Sequence, residues 1–194
     1  MSKIEELINQ YCPNGVEYKE LKDIVYLRAG DRITKSMMKE ESLYPVMGGG
    51  TLPTGKYSSY NFEKCITVSR AGSAGSVNWV DGKFWATDVC FVASDKYKDI
   101  ILKYVYYFLK SQENELKKHI YGGNLPKLNK DFLWTLSVPI PPLVIQDEIV
   151  NILDSFTELQ AELQAELQAR VKQYEWYRDS LLSFDRKSTT QKDA

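Results

Sequence analysis

A single histidine, His119, and three scattered cysteines, Cys12, Cys65 and Cys90, are the only imidazole and thiol side chains of this chain. That scarcity excludes a multi-histidine metal centre, and with no CxxC pair it leaves nothing for a zinc ribbon or a dithiol redox site. His119 is read as a surface or loop residue, and the thiols as buried in a reducing compartment. Gly48-Gly49-Gly50 is followed by no Gly-Lys-Ser/Thr, and no GxGxxG opens a helix, so the two common phosphate-cradling loops are absent. No Asn/Asp-Pro-Pro-Tyr/Phe element for amino methylation of a base occurs. Glu115-Leu116-Lys117 has a spacing found in magnesium nucleases, without the clustered carboxylates such a site needs, and is read as a solvated helix face. No catalytic residue, metal site or cofactor is therefore assigned to this chain. No run of 18 apolar residues exists, and Met1-Ser2-Lys3-Ile4-Glu5-Glu6 has no signal-peptide core, so a cytoplasmic protein is expected.

Glycine and proline are missing from one part only. All 11 glycines and all 7 prolines precede Leu143, so every strong turn signal lies in residues 1–142. The expected architecture is α+β: a β-rich body over 1–142, a long helix over 143–184, and a disordered polar tail over 185–194. The helix is rich in Ala, Leu, Glu and Gln and contains three tandem copies of Glu-Leu-Gln-Ala, from Glu158 to Ala169. Apolar residues recur at Phe156, Leu159, Leu163, Leu167, Val171, Tyr174, Tyr177 and Leu181, steps of three and four that keep one stripe. A continuous helix would be roughly 60 Å long, although Ser155 and Glu158 have capping-box spacing and allow a restart there. The stripe requires a partner helix, as in a coiled coil.

Within the body, Ser2 and Glu5 frame a short helix to about Tyr11, and Cys12-Pro13-Asn14-Gly15 ends it. Strands are expected at Val16–Lys19, Val25–Arg28, Tyr44–Met47, Cys65–Ser69, Val77–Val80 and Thr87–Val92, with one helical turn over Leu21–Ile24. Thr34–Glu41 reads as a loop or short exposed helix. Asp81-Gly82 predicts a type I′ hairpin between two of these strands. Helices are expected over Asp99–Ser111 and Glu113–His119, then a loop over Tyr121–Pro126. A last strand is expected over Phe132–Val138, with Pro139-Ile140-Pro141-Pro142 as a stiff joint. Trp79, Trp85 and Trp134 are expected in the core.

Charge divides along the same boundary. The net value of −1 combines +3 over residues 1–142 with −4 over residues 143–194. The mildly basic body carries polar glycine-rich loops interleaved with bases and aromatics, a composition suited to DNA. Lys35, Lys39, Lys56, Arg70, Lys118 and Lys127 are the candidates for phosphate contacts. Tyr57, Tyr60, Ser73 and Asn124 are the candidates for base edges. The competing reading is that these glycines make tight turns and the tyrosines cap a sheet.

Taken together, a series of motifs resembles the specificity subunits of type I restriction-modification systems. They are Cys12-Pro13-Asn14-Gly15-Val16-Glu17-Tyr18, Tyr44-Pro45-Val46 with Gly48-Gly49-Gly50, Arg70-Ala71-Gly72-Ser73-Ala74-Gly75, and Phe84-Trp85-Ala86-Thr87-Asp88. Asn124-Leu125-Pro126-Lys127-Leu128-Asn129, Val138-Pro139-Ile140-Pro141-Pro142-Leu143 and Lys172-Gln173-Tyr174-Glu175-Trp176-Tyr177-Arg178 continue it. The resemblance implies a target recognition domain that reads half of a bipartite double-stranded DNA site, joined to a helical spacer that binds methyltransferase subunits. Those partners would use S-adenosylmethionine; whether a restriction/translocase subunit joins them is left open by the sequence. A full-length specificity subunit looks like two such units in tandem, whereas this chain has one of each and resembles a half-subunit. A homodimer is then expected, paired through Phe156, Leu159, Leu163, Leu167, Val171, Tyr174 and Leu181, with antiparallel helices and a palindromic target. The alternatives are a helical scaffold or inactive recombination cassette, and a fragment of a fused methyltransferase or nuclease.

Overall fold

The structure, a computed structural model, describes residues 3–184. The expectations for Ser2 and for the tail 185–194 lie outside them. The chain begins with α1 (Lys3–Tyr11), β1 (Glu17–Glu20), the single turn α2 (Leu21–Ile24) and β2 (Val25–Ala29). A 3-10 turn (Lys35–Met37) precedes β3 (Tyr44–Met47), β4 (Gly55–Tyr57), β5 (Phe62–Ser69), β6 (Val77–Ala86) and β7 (Cys90–Asp95). Then come α3 (Leu102–Ser111), α4 (Glu113–Lys118), β8 (Ile120–Tyr121), β9 (Lys127–Leu128), α5 (Lys130–Trp134), β10 (Ser137–Ile140) and α6 (Leu143–Leu182).

Six strands form one mixed sheet in the order β2-β7-β5-β6-β3-β4, antiparallel throughout except where β3 runs parallel to β6. Its central strands are buried on both faces. Ile66 and Val68 of β5 and Phe91 and Ala93 of β7 face one cluster, completed by Val105 and Leu109 of α3, Leu116 of α4 and Leu133 of α5. Cys65, Cys90 and Val92 alternate to the other side and join Met47, Phe62, Val80, Phe84 and Ala86. Two-sided burial explains why these strands read as unbroken apolar runs instead of alternating ones. All three cysteines are free and buried, and burial pushes the Cys90 thiol up to about 12.

Several expectations are corrected. Asp81-Gly82 makes no hairpin: β6 runs straight through it, because β5 pairs with both its halves, Phe62 with Phe84 and Cys65 with Val80. The two residues sit opposite Lys64 as a bulge, which takes up the positive φ of Gly82 (+75°) and Lys64 (48°). Residues 132–136 are not strand, since the Asn129 side chain accepts hydrogen bonds from the Asp131 and Phe132 amides at 2.9 and 3.2 Å and caps α5. The final strand begins only at Ser137, and Pro139 and Ile140 lie inside β10, paired with Tyr18 and Glu17, where a joint was expected. Finally, Trp79, Trp85 and Trp134 are half-buried instead of fully interior: Trp79 and Trp134 pack against the edge of the first cluster with a lysine over each ring, while Trp85 stands against Tyr57. The β7 strand also starts later than expected, at Cys90, since Thr87–Val89 forms the turn.

By contacts the chain divides within α6: one compact unit reaches Asn151 and the other begins at Ile152. In the first, Gln146 is wholly buried. Its side-chain carbonyl accepts from the Ile101 amide at 2.9 Å, and its amide donates to Pro141 and Asp99 carbonyls at 2.8 and 3.2 Å. The bond to the Asp99 carbonyl engages the acceptor that a helix begun at Asp99 would offer four residues on, and α3 starts at Leu102. Ile145 and Val150 are buried beside it. The second unit carries the rest of α6, which is unbroken at Ser155 and Glu158.

Candidate nucleic-acid interface

The ten residues read as DNA contacts fall in separate places. Lys35 opens the 3-10 turn and Lys39 follows it, and the Lys39 amide donates to the Lys56 carbonyl at 3.1 Å, which joins this segment to β4. Lys35, Lys39 and Lys56 are all exposed. Tyr57 stands edge-on to Trp85 at 4.9 Å, and the Trp85 indole N–H donates to the Asp31 carbonyl at 3.0 Å. Tyr60 packs on Tyr44 at 5.1 Å and lies under the Lys83 ammonium at 4.6 Å. The hydrogen bond and charge of Tyr60 raise the Lys83 pKa.

Arg70, Ser73, Lys127 and Asn124 belong to a second group around the β8–β9 ribbon. The Leu128 amide donates to the Arg70 carbonyl at 2.8 Å, and Ala71 bridges to Lys127. The Ser73 amide donates to the Gly49 carbonyl at 2.7 Å, leaving the Ser73 side chain exposed. Gly49 must be glycine here, since a Cβ would lie 2.1 Å from the Ala71 carbonyl oxygen. The two glycine-rich loops thus hold each other through backbone, while Asn124 is exposed in the connection between β8 and β9. Lys118 differs, being committed to Glu115 by a 2.6 Å ion pair that holds the Glu115 carboxyl below its usual pKa. His119 stacks on Phe132 with centroids 3.4 Å apart, and Glu115 is 3.5 Å from its Nε2.

On α6, Phe156, Leu159, Leu163, Leu167, Val171, Tyr174, Tyr177 and Leu181 are all exposed, Leu163 at 58%. Eight apolar side chains along one helix with nothing among the described residues covering them is the arrangement of an interaction face.

Among the described residues no group of three or more His, Cys, Asp and Glu could hold a metal, and no helix is long and apolar enough to cross a membrane. The family model for the type I restriction modification DNA specificity domain matches residues 13–173, across body and helix alike. The chain belongs to this family. A putative type I specificity subunit of Mycoplasma pneumoniae is 34% identical over 169 residues, covering 84% of this chain and 46% of that protein. A putative type I restriction enzyme specificity subunit of Haemophilus influenzae is 34% identical over 184 residues, covering 88% and 47%. The chain therefore spans about half the length of these curated relatives. The crystal structure of the S subunit of a type I restriction-modification system from Mycoplasma genitalium shares the fold, with TM-score 0.71, 24% identity, and 89% of this chain and 48% of that one covered.

Sequence reasoning missed several cations of this type I specificity domain that the fold sets on aromatic rings. The Arg28 guanidinium lies 4.2 Å from the Phe62 ring centre, Lys103 sits 4.7 Å from that of Trp79, and Lys130 lies 5.2 Å from that of Trp134. For Lys130 a signal existed: it precedes Trp134 by four residues, one helical turn. Reading the segment as a strand hid it.

Proposed function

We propose that this chain is the sequence-specific DNA recognition component of a type I restriction-modification complex. A target recognition domain over 1–142 reads one half-site of a bipartite target, and a helical spacer over 143–184 pairs with a second copy and receives methyltransferase subunits. The observation that carries the reading is the family match over 13–173, because it takes in most of the basic body together with the exposed apolar stripe as far as Val171. A lone helix with such a stripe needs a partner helix, and a two-fold pairing of identical copies is the simplest closed one. Two identical readers favour a palindromic interrupted site. The chain is non-catalytic by itself. Methylation, with S-adenosylmethionine, and cleavage belong to the partner subunits, and the complex works in the cytoplasm.

Genome-wide adenine methylation mapping with and without the chain tests this. A bipartite palindrome methylated only in its presence supports the reading, and an unchanged methylation pattern refutes it. Light scattering at micromolar concentration separately tests the pairing, which a purely monomeric chain would overturn.

A further inference from the structure

A cleft opens between β2, the Arg70 end of β5, and α5. Its walls are the Leu27–Ala29 segment, Arg70, Tyr121 and Lys130, and its floor is Phe91 and Trp134. The two floor rings meet edge-to-face at 5.0 Å, with the Arg70 guanidinium 5.7 Å from the Phe91 ring centre and the Lys130 ammonium 5.2 Å from that of Trp134. Arg70 and Lys130 thus bracket one aromatic floor, while Arg28, the third cation of the lining, has its guanidinium on the Phe62 ring at 4.2 Å. Arg70 is further fixed by its amide, which donates to Val89 at 2.9 Å, and by a guanidinium contact of 3.5 Å to the Asp88 carbonyl. Lys130 stands in the first turn of the Asn129-capped helix. Neither cation is ion-paired with a carboxylate among the described residues, in contrast to Lys110 and Lys118. No acidic residue and no side-chain amide lines the cleft.

Two charges held by stacking and backbone lose little side-chain entropy on meeting an anion. With no amide in reach, the cleft has no group of the kind that recognises adenine edges, and its two cations, drawn onto the aromatic floor, could otherwise meet only a guanine edge, a contact whose loss would be confined to one base sequence. We propose that it seats a single backbone phosphate of the DNA, held between Arg70 and Lys130. This rests on the DNA-reading function proposed above and gives the cleft a positioning role. The β8–β9 ribbon borders it through Tyr121, so a phosphate fixed there sets the register of the neighbouring connection that carries Asn124.

The test is Lys130→Gln in the full chain, with binding to duplex DNA followed by fluorescence anisotropy over a range of salt. Removing one phosphate contact reduces the slope of log affinity against log salt by about 1, so from about 50 to about 200 mM salt the variant should lose about 3.5-fold less affinity than wild type. The loss at low salt should be equal for specific and unrelated sequences, and Arg70→Gln should behave alike. Lys130 is exposed, so an unchanged melting curve is expected to accompany the effect. An unchanged salt slope overturns the phosphate seat, as does a loss confined to one base sequence. A wild-type chain that binds every sequence equally, with the slope still reduced in Lys130→Gln, sinks the recognition reading and keeps the seat.

Discussion

Gln146 offers a sharp test of how the foot of α6 is held. In Gln146→Leu the side chain keeps nearly the same volume, so cavity and overpacking terms stay small. The substitution removes three hydrogen bonds, from the Ile101 amide and to the Pro141 and Asp99 carbonyls. At about 1 kcal/mol each, with up to about 1 kcal/mol more for the Ile101 N–H left unpaired in half-buried surroundings, the expected loss is about 3–4 kcal/mol. That is a large fraction of the about 5–15 kcal/mol that holds a domain together. In urea the midpoint should fall by about 1.5–2 M, given a slope of about 2 kcal/mol per molar, while the slope itself stays the same. Gln146→Glu should cost at least as much, because an oxygen then faces two carbonyls. Gln173→Leu, on the exposed part of the same helix, should change stability by under about 0.5 kcal/mol. A Gln146→Leu loss below about 1 kcal/mol would refute the assignment of these bonds.

Deleting Glu162–Ala165 removes one of the three repeats from an unbroken helix, shortening it by ~6 Å and rotating its C-terminal remainder by about 40°. The preferred distance between half-sites should change by a base pair or two, measured on a series of DNA spacers, and unchanged preference would take the repeat out of the mechanism. Asn129→Ala removes the cap of α5 and should lower stability by about 1 kcal/mol, read by thermal melting. For Cys90 the folded thiol stays protonated to about 12, while the unfolded one ionises near 8.5. The unfolded state therefore binds fewer protons above pH ~8.5, and stability falls as pH rises, by up to about 1.4 kcal/mol per pH unit until the folded thiol also ionises. Cys90→Val should flatten that alkaline decline. Equal slopes between pH ~9 and ~11 in wild type and variant would count against it.

Much of the fold was legible because local chemistry and tertiary structure agreed. The absence of glycine and proline after residue 142 and the spacing from Phe156 to Leu181 describe α6 almost to its last residue. Leu21–Ile24 and Tyr44–Met47 have the bounds read for them. Where the reading failed, a distant segment overruled a local signal. Asp81-Gly82 has the chemistry of a hairpin, and only the presence of β5 along its whole flank makes it a bulge. Asp99–Ile101 has helical periodicity, yet its backbone groups are taken by Gln146, 45 residues away from Ile101.

The candidate site divides in the same way. Charge and glycine loops in the body and a helical period after residue 142 were enough to expect DNA contact in the one and an exposed apolar stripe on the other, since composition and period act locally. Which cations stand free is a different matter. Lys118, a candidate phosphate contact, carries an exposed ion pair with Glu115, whereas Lys130, not among the candidates, has no carboxylate partner among the described residues and stands over Trp134. The sequence by itself determined the body, the helix and its exposed stripe, because helix period and turn chemistry act over a few residues. Only the tertiary structure decided which side chains meet across the sheet, because burial and ion pairing are settled by neighbours that the chain brings together from far away.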